Sequence, residues 1–203
     1  MYKNLVFDLG GVVVNYNPRD YLMDRFFYER LENKLFDAVF GSEEWIMLDR
    51  GEMSLEEANE IFLQRGHKLD IAFEMQAVLD NWPEMLTDRK ATINLMRLFK
   101  KKGYQLYYLS NISHEMLGLL RQRPFWSLFD GGIASCEVGI CKPDPEIYEI
   151  LLQKYHLSAH QTIFADDRKE NALGAFSAGI TGIQFHNVKN FCNMLLSYGI
   201  NMD

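Results

Sequence analysis

Four short stretches of this chain carry chemically able side chains, three of them directly after apolar runs where buried strands would end and one in a loop just before a helix. In Leu5-Val6-Phe7-Asp8-Leu9-Gly10-Gly11 a single acid follows branched and aromatic residues, and two glycines follow it. Glycine lets the backbone turn sharply and approach a ligand closely. A carboxylate placed there can act as a nucleophile, and it can equally start a turn or cap a helix. Leu109-Ser110-Asn111 offers a hydroxyl and an amide, able to donate hydrogen bonds to phosphate oxygens or to cap the next helix. In Cys141-Lys142-Pro143-Asp144-Pro145, Asp144 and Pro145 suit the N-cap and first position of a helix, which sets Lys142 in an ordered loop just before it. Such a lysine is usually solvated. Phe164-Ala165-Asp166-Asp167 ends another apolar run in two adjacent acids, followed by Asn171, Ala175 and Gly179. Adjacent carboxylates repel unless a cation or protons intervene, so a hard divalent ion is the simplest account, with helix capping by one Asp as the plain alternative.

The elements that must carry these groups are visible in the hydrophobic periodicity. Leu5–Phe7 is too short for a helix and suits a strand buried on both faces of a parallel sheet, which puts Asp8 at its carboxyl end, where open α/β sheets bind ligands. From Asn15 to Trp82 strand alternation disappears. The pattern predicts successive amphipathic helices over Pro18–Leu31, Leu35–Phe40, Glu44–Leu48, a segment started by Ser54 and Glu57 as a capping box, and Ile71–Leu79. After Asp88 helix and strand alternate. Ala91, Leu95, Leu98 and Phe99 form a helical face that Lys100-Lys101-Lys102 and Gly103 close. Strands are expected at Tyr104–Leu109, Ile133–Ser135, Thr162–Ala165 and Gly182–Phe185, and helices after Ser113, at Pro145–Tyr155, at Lys169–Ala178 and after Val188. This alternation indicates a doubly wound parallel α/β sheet interrupted by an all-helical insert above Asp8.

Phe7-Asp8-Leu9-Gly10-Gly11-Val12 resembles the first motif of the haloacid dehalogenase superfamily, whose hydrolases attack phosphate with one aspartate placed two residues before another. Here the second position is Gly10. Ser110 resembles the second motif, Lys142-Pro143-Asp144-Pro145 the third, and Asp166-Asp167 with Asn171 the fourth, all in the family's order. The resemblance implies a Rossmann-like core from residues 1–15 and 86–203 and a helical cap over 16–85 that closes on the substrate. It implies a Mg²⁺-dependent phosphomonoester hydrolase in which Asp8 forms an aspartyl phosphate. Lys142 would neutralise the nucleophile and the phosphate, and Ser110 and Asn111 would contact the phosphate or substrate. Asp8, the Gly10 carbonyl and Asp167 would hold the metal, with Asp166 water-mediated or supporting. Members similar to bacterial phosphatases acting on glucose 1-phosphate also have a non-acidic residue at the second-aspartate position, so a sugar phosphate is the expected substrate class.

The alternatives are a phosphosugar mutase, which especially needs the acid that Gly10 lacks, a dehalogenase, which needs no Mg²⁺ site, and a catalytically silent phosphate-binding module. Loss of that acid should favour aryl and anomeric phosphates over primary alkyl phosphates. Gly10→Asp should narrow the gap if the side chain fits, and a substitute proton donor would come from the cap or from His114.

Composition narrows the field further. Apolar residues make up 48% of the 203 and charged residues 24%, as in an ordinary folded protein. A formal charge of −7 argues against a nucleic-acid or anionic-membrane surface. The chain opens on its first strand with no room for a signal peptide, and Cys136, Cys141 and Cys192 lack zinc or disulfide spacing, so reduced thiols in a cytoplasmic protein are expected. His67, His156, His160 and His186 are scattered, and only His114 lies near a motif. Oligomeric state leaves no sequence signature here.

Overall fold

In a computed structural model, which describes residues 1–201, five parallel strands form one sheet: β1 (Asn4–Phe7), β2 (Gln105–Ser110), β3 (Gly131–Ala134), β4 (Thr162–Asp166) and β5 (Thr181–Gln184), in the order β3-β2-β1-β4-β5. The central place of β1 decides where the chemistry goes. Phe7 pairs in register with Tyr108 on one side and Ala165 on the other, so the residues that follow all three strands emerge together at one edge.

Alternation along the strands explains the two layers of core. Leu5 and Phe7, with Leu106, Tyr108, Ile163 and Ala165, face α6 (Lys90–Lys101), α7 (His114–Arg121) and α11 (Val188–Ser197). Val6, with Tyr107, Leu109, Ile133 and Phe164, faces α9 (Pro145–Lys154) and α10 (Lys169–Ser177) on the other side. Successive strand residues point to opposite faces, and both faces are covered here, which is why the strand sequences read as nearly continuous apolar runs.

Between β1 and α6 lie only helices: α1 (Pro18–Phe26), α2 (Glu29–Ala38), α3 (Glu43–Arg50), α4 (Leu55–Lys68), α5 (Ala72–Asn81) and a 3₁₀ turn at Trp82–Met85. Their shared interior includes Leu22, Leu35, Trp45, Phe62 and Trp82, with the Trp45 and Trp82 rings edge-to-face at 5.8 Å. The capping box expected at Ser54 and Glu57 is formed in both directions. The two ends of the insert are tied to the core by Asn15 N–H to the Thr87 carbonyl and Arg89 N–H to the Val13 carbonyl, both at 2.8–2.9 Å.

Several boundaries differ from expectation. The helix expected over Pro18–Leu31 breaks at Phe27, which enters the left-handed region at φ 51° while its N–H bonds the Met23 carbonyl. Glu32 accepts the Tyr28 N–H and restarts the chain as α2, which absorbs the separate helix expected at Leu35–Phe40. No glycine or proline marks this break. Tyr104 lies before β2, and β3 and β5 begin one or two residues earlier than expected because their glycines fit tight spaces between layers. A Cβ on Gly182 would meet the Ala172 carbonyl oxygen, and one on Gly131 would lie 2.4 Å from the Tyr155 ring. The lysine run at the end of α6 is partly engaged, since Lys100 pairs with Asp130 at 2.7 Å.

Candidate active site

The edge formed by β2, β1 and β4 brings all four motifs to one small cavity of about 140 Å³, lined by residues that include Asp8, Ser110, Lys142 and Asp167. Asp8 follows β1 and is held by its own N–H on the Ala165 carbonyl at 2.9 Å, while its Oδ1 accepts the Leu9 N–H at 2.7 Å. Asp166 ends β4 and is fully buried. Its carboxylate accepts from the Arg168 N–H at 2.8 Å and from the Asn171 amide at 3.1 Å.

Lys142 is not solvated: it is 4% exposed, and its Nζ stands 3.0 Å from Asp8 Oδ1, 2.6 Å from Asp166 Oδ2 and 2.8 Å from the Leu109 carbonyl. Asp144 caps α9 by accepting the Glu146 N–H at 3.0 Å, as its place before Pro145 suggests. From the opposite side Asn111 grips the lysine's backbone, accepting the Lys142 N–H at 2.7 Å and donating to its carbonyl at 2.9 Å. Asn111, expected in substrate contact, lines the cavity but spends both ends of its amide in this clamp. Ser110 is buried at the cavity wall, and neither it nor Asn111 caps α7, because Ser113 does so by accepting the Met116 N–H.

Asp167 is the exposed member of the acidic group. Its carboxylate lies against the loop after Asp8, where Gly11 has φ 73° and a Cβ would sit 2.4 Å from Asp167 Oδ2, so only glycine serves. Gly10 sits beside Tyr16: a Cβ there would be 3.3 Å from the Tyr16 Cβ and 3.6 Å from two ring carbons. A side chain at residue 10 would therefore start in tight contact with Tyr16, at the start of the insert, and would need it to give by a few tenths of an ångström.

The electrostatics follow from crowding three carboxylates around one ammonium. Burial pushes the Asp8 carboxyl up to about 7, Lys142 opposes this, and Asp166 and Asp167 reinforce it. For Lys142 burial alone would lower the pKa, but the charges of Asp8 and Asp166 outweigh it and hold the amine above its ordinary value. Ligand oxygens of Asp8, Asp166 and Asp167 come within 4.8 Å of one another. Asn171 also leaves its carbonyl oxygen buried without a donor. An all-oxygen donor set with surplus negative charge is what a hard divalent cation such as Mg²⁺ requires, so these residues fit one.

Two groups depart from expectation. His114 does not line the cavity. It is exposed at the start of α7, and its Nε2 lies near Gly51 instead. Asp49, in the last turn of α3, does line it, together with Tyr16, Met116 and Arg168. Motif spacing carries no trace of Asp49. Its one sequence signal is an acid in the last turn of a helix, where the dipole disfavours negative charge. Tyr16 and Asp167 also border a wider outer cleft of about 880 Å³, whose wall includes Asn17, Asp20, Arg25, Glu84 and Arg89.

Cys136, Cys141 and Cys192 are all free thiols, and burial pushes Cys136 up to about 12, so none is activated. Among the described residues no helix is long and apolar enough to cross a membrane.

The chain is similar to known proteins over most of its length. Over 184 residues the chain is 31% identical to sesquiterpene phosphatase astK of Aspergillus oryzae, covering 90% of this chain and 89% of that one. It is 26% identical to D-ribitol-5-phosphate phosphatase of Bacteroides thetaiotaomicron, over 84% of this chain and 85% of that protein. Two longer relatives, acyl-CoA dehydrogenase family member 10 of Mus musculus and drimenol cyclase of Aspergillus calidoustus, match over only 18% and 34% of their own length. Among solved structures, a HAD family enzyme from Bacteroides thetaiotaomicron in complex with magnesium and inorganic phosphate superposes with a TM-score of 0.70 at 21% identity, covering 94% of this chain and 99% of that one. The family model for haloacid dehalogenase-like hydrolases matches residues 2–179, and with the parallel core, the helical insert and the Asp8, Asp166 and Asp167 cluster in place, the chain belongs to that family of hydrolases.

Proposed function

We propose that this protein is a Mg²⁺-dependent phosphomonoester hydrolase that works through an aspartyl phosphate on Asp8, with residues 16–85 as a cap over a core of residues 1–15 and 86–203. The observation that carries the reading is the Lys142 ammonium, buried and shared between Asp8 at 3.0 Å and Asp166 at 2.6 Å beside a third carboxylate. A carboxylate can attack a phosphate dianion only where positive charge offsets both, and this lysine is fixed at that point. Asp8 is the nucleophile. Lys142 keeps it aligned and screens its charge from the incoming phosphate, and Asn111 holds the lysine's backbone in register. The Ser110 hydroxyl on the cavity wall donates to a phosphate oxygen.

Asp8, Asp167 and the Gly10 carbonyl would hold Mg²⁺, with Asp166 in support because its oxygens are already taken by Lys142, Asn171 and the Arg168 N–H. When bound, the ion would neutralise negative charge on the transferring phosphoryl group. A dehalogenase has no use for the third carboxylate, and a silent module has no use for a lysine held at such desolvation cost between two acids.

The leaving group belongs in the outer cleft. Its wall of acids, amides and arginines suits a hydroxyl-rich sugar or polyol, in line with the ribitol phosphate relative. A second reading, a terpenoid phosphate, draws on the 31% identity to the sesquiterpene phosphatase. We assign the protein to the cytoplasm on its three free thiols. The test is phosphate release from a panel of sugar, polyol, prenyl and aryl monophosphates, with Mg²⁺ or with chelator. Release that requires Mg²⁺ and vanishes in Asp8→Asn is the expected result, and a polyol or sugar phosphate should give the highest kcat/KM. Turnover that survives in Asp8→Asn, or no turnover of any ester, overturns the reading.

A further inference from the structure

Gly10 leaves the reaction without the acid that its loop would ordinarily carry, and Tyr16 crowds the position where one would be added. A proton must still reach the departing oxygen. Among the described residues that line the inner cavity, the proton-bearing groups are few. Asp8 is the nucleophile and Asp167 is assigned to the metal. Asn111 and Asn171 carry no titratable proton, and a guanidinium such as that of Arg168 gives none up. The Ser110 hydroxyl is assigned to a phosphate oxygen, and Lys142 keeps its protons on Asp8, Asp166 and the Leu109 carbonyl, with the charges of those acids holding its pKa up. Burial, followed by the charge of Asp49, drives the Tyr16 hydroxyl well above its ordinary value, so it is a poor donor. The group left over is the carboxyl of Asp49.

Its placement is deliberate in structural terms. Asp49 belongs to the helical insert, yet the end of α3 is fastened to the core. Ser135, at the start of the short helix α8 (Ser135–Val138), accepts the Ile112 N–H at 2.8 Å and donates its own hydroxyl to the Asp49 carbonyl. Gly51, at φ 68°, ends α3 so close to the core that a Cβ would lie 2.3 Å from the Cys136 carbonyl oxygen. Backbone and loop thus fix where Asp49 stands. Its carboxylate meanwhile makes no hydrogen bond or ion pair among the described residues, and Asp49 lines the same cavity as Asp8, near enough to feel its charge. A free acid held in place on both sides of its own backbone is arranged for a reacting partner and not for packing.

We propose that Asp49, reaching down from the cap, is the general acid and base of the reaction, in the role that Gly10 cannot fill; this rests on the phosphatase reading given above. In the first step Asp8 forms a bond to phosphorus, the bond from phosphorus to the leaving oxygen breaks with its electron pair, and Asp49 delivers its proton to that oxygen to give the free alcohol. In the second step a water oxygen attacks phosphorus as Asp49 takes the water's proton. The bond from phosphorus to the Asp8 oxygen breaks, its electrons return to Asp8, and inorganic phosphate leaves with Asp49 protonated again. Burial, with the charge of Asp8, pushes the Asp49 carboxyl up to about 7, against the pull of Lys142 and Arg168, so it holds a proton under conditions where an ordinary aspartate has lost it.

Leaving groups of different basicity separate this role from a structural one. Wild type and Asp49→Asn are compared on a primary alkyl phosphate and on p-nitrophenyl phosphate, with circular dichroism to verify the fold. For the alkyl ester kcat/KM should fall by about 10²–10⁴-fold, because its alkoxide needs the proton. For the aryl ester kcat/KM should fall less than about tenfold, since nitrophenolate departs unaided, yet steady-state turnover should drop and a burst of about one nitrophenolate per enzyme should appear as the aspartyl phosphate waits for a base. Asp49→Ala, a second removal of the acid, must show the same pattern. If wild type turns over these esters and both variants match it, or lose alkyl and aryl activity equally without a burst, Asp49 is not the acid and base while the phosphatase reading stands. If wild type turns over neither ester nor any other in the panel, that reading falls first.

Discussion

Replacing Asp8 by Asn should make the metal-free protein more stable while it destroys activity. The amide keeps the shape and can still accept the Leu9 N–H bonded by the wild-type Oδ1 at 2.7 Å. What it removes is one of three carboxylates packed around the single ammonium of Lys142. In the fold Asp8 is raised from 3.8 to about 7, chiefly by burial, and that value already includes the help it receives from Lys142. At about 1.4 kcal/mol per unit, holding Asp8 ionised costs on the order of 4 kcal/mol above neutral pH. The sign is opposite to that of a salt-bridged aspartate with a lowered pKa. Between pH 3.8 and about 7 the folded state binds this proton more tightly than the unfolded state, so wild-type stability falls as pH rises through that window. The Asn variant lacks this slope.

Denaturant titrations in chelator should therefore show little difference near pH 4 and a gain for Asp8→Asn at pH 8. A gain of that size corresponds to a melting temperature higher by on the order of 10 °C for a protein of this length. Adding Mg²⁺ should close the gap, because wild type is stabilised by binding an ion that the variant binds less well. A variant that is less stable than wild type at pH 8 in chelator, or equally stabilised at both pH values, would refute the idea that the fold holds a charged Asp8 against its burial and the neighbouring acids.

Two further substitutions probe the same site. Lys142→Ala leaves two buried acids without their cation and should abolish turnover and cost about 3–5 kcal/mol at pH 8, with a smaller loss at pH 5, below the value of about 7 to which Asp8 is raised, where Asp8 takes up a proton; equal losses at both pH values in a denaturant titration would contradict the pairing. Gly10→Asp must push against Tyr16, 3.3 Å from the new Cβ, and should lower stability by about 1–3 kcal/mol without improving kcat/KM for primary alkyl phosphates. Improved turnover at unchanged melting temperature would show that the space is free.

The sequence by itself determined which polar groups gather at one edge of the sheet and the strands that carry most of them. Asp8, Ser110, Asp166 and Asp167 each sit at or just after the end of a buried strand, Lys142 sits two residues before the Asp144 N-cap, and apolar runs of four to six residues become strands because only a covered parallel sheet satisfies them. The capping box at Ser54 and the N-cap at Asp144 are equally local, since their partners lie three and two residues away. Other features depend on residues far apart in sequence, and no spacing rule reaches them. That Lys142 is buried between two acids and not solvated follows from strand order, which sets β1 beside β4 and lets Asn111 clamp a loop 31 residues on. The break at Phe27, closed on the Met23 carbonyl and followed by a restart on Glu32, has no glycine or proline to announce it. Gly10 reads as a missing acid in the sequence, whereas only the fold shows that Tyr16 stands 3.3 Å from where its Cβ would be. Asp49 reads as an unremarkable helix residue until Ser135, 86 residues away, ties its backbone over the cavity. Local propensity and hydrophobic period act over a few residues, while a catalytic cavity is made by contacts that close only when the whole chain has folded.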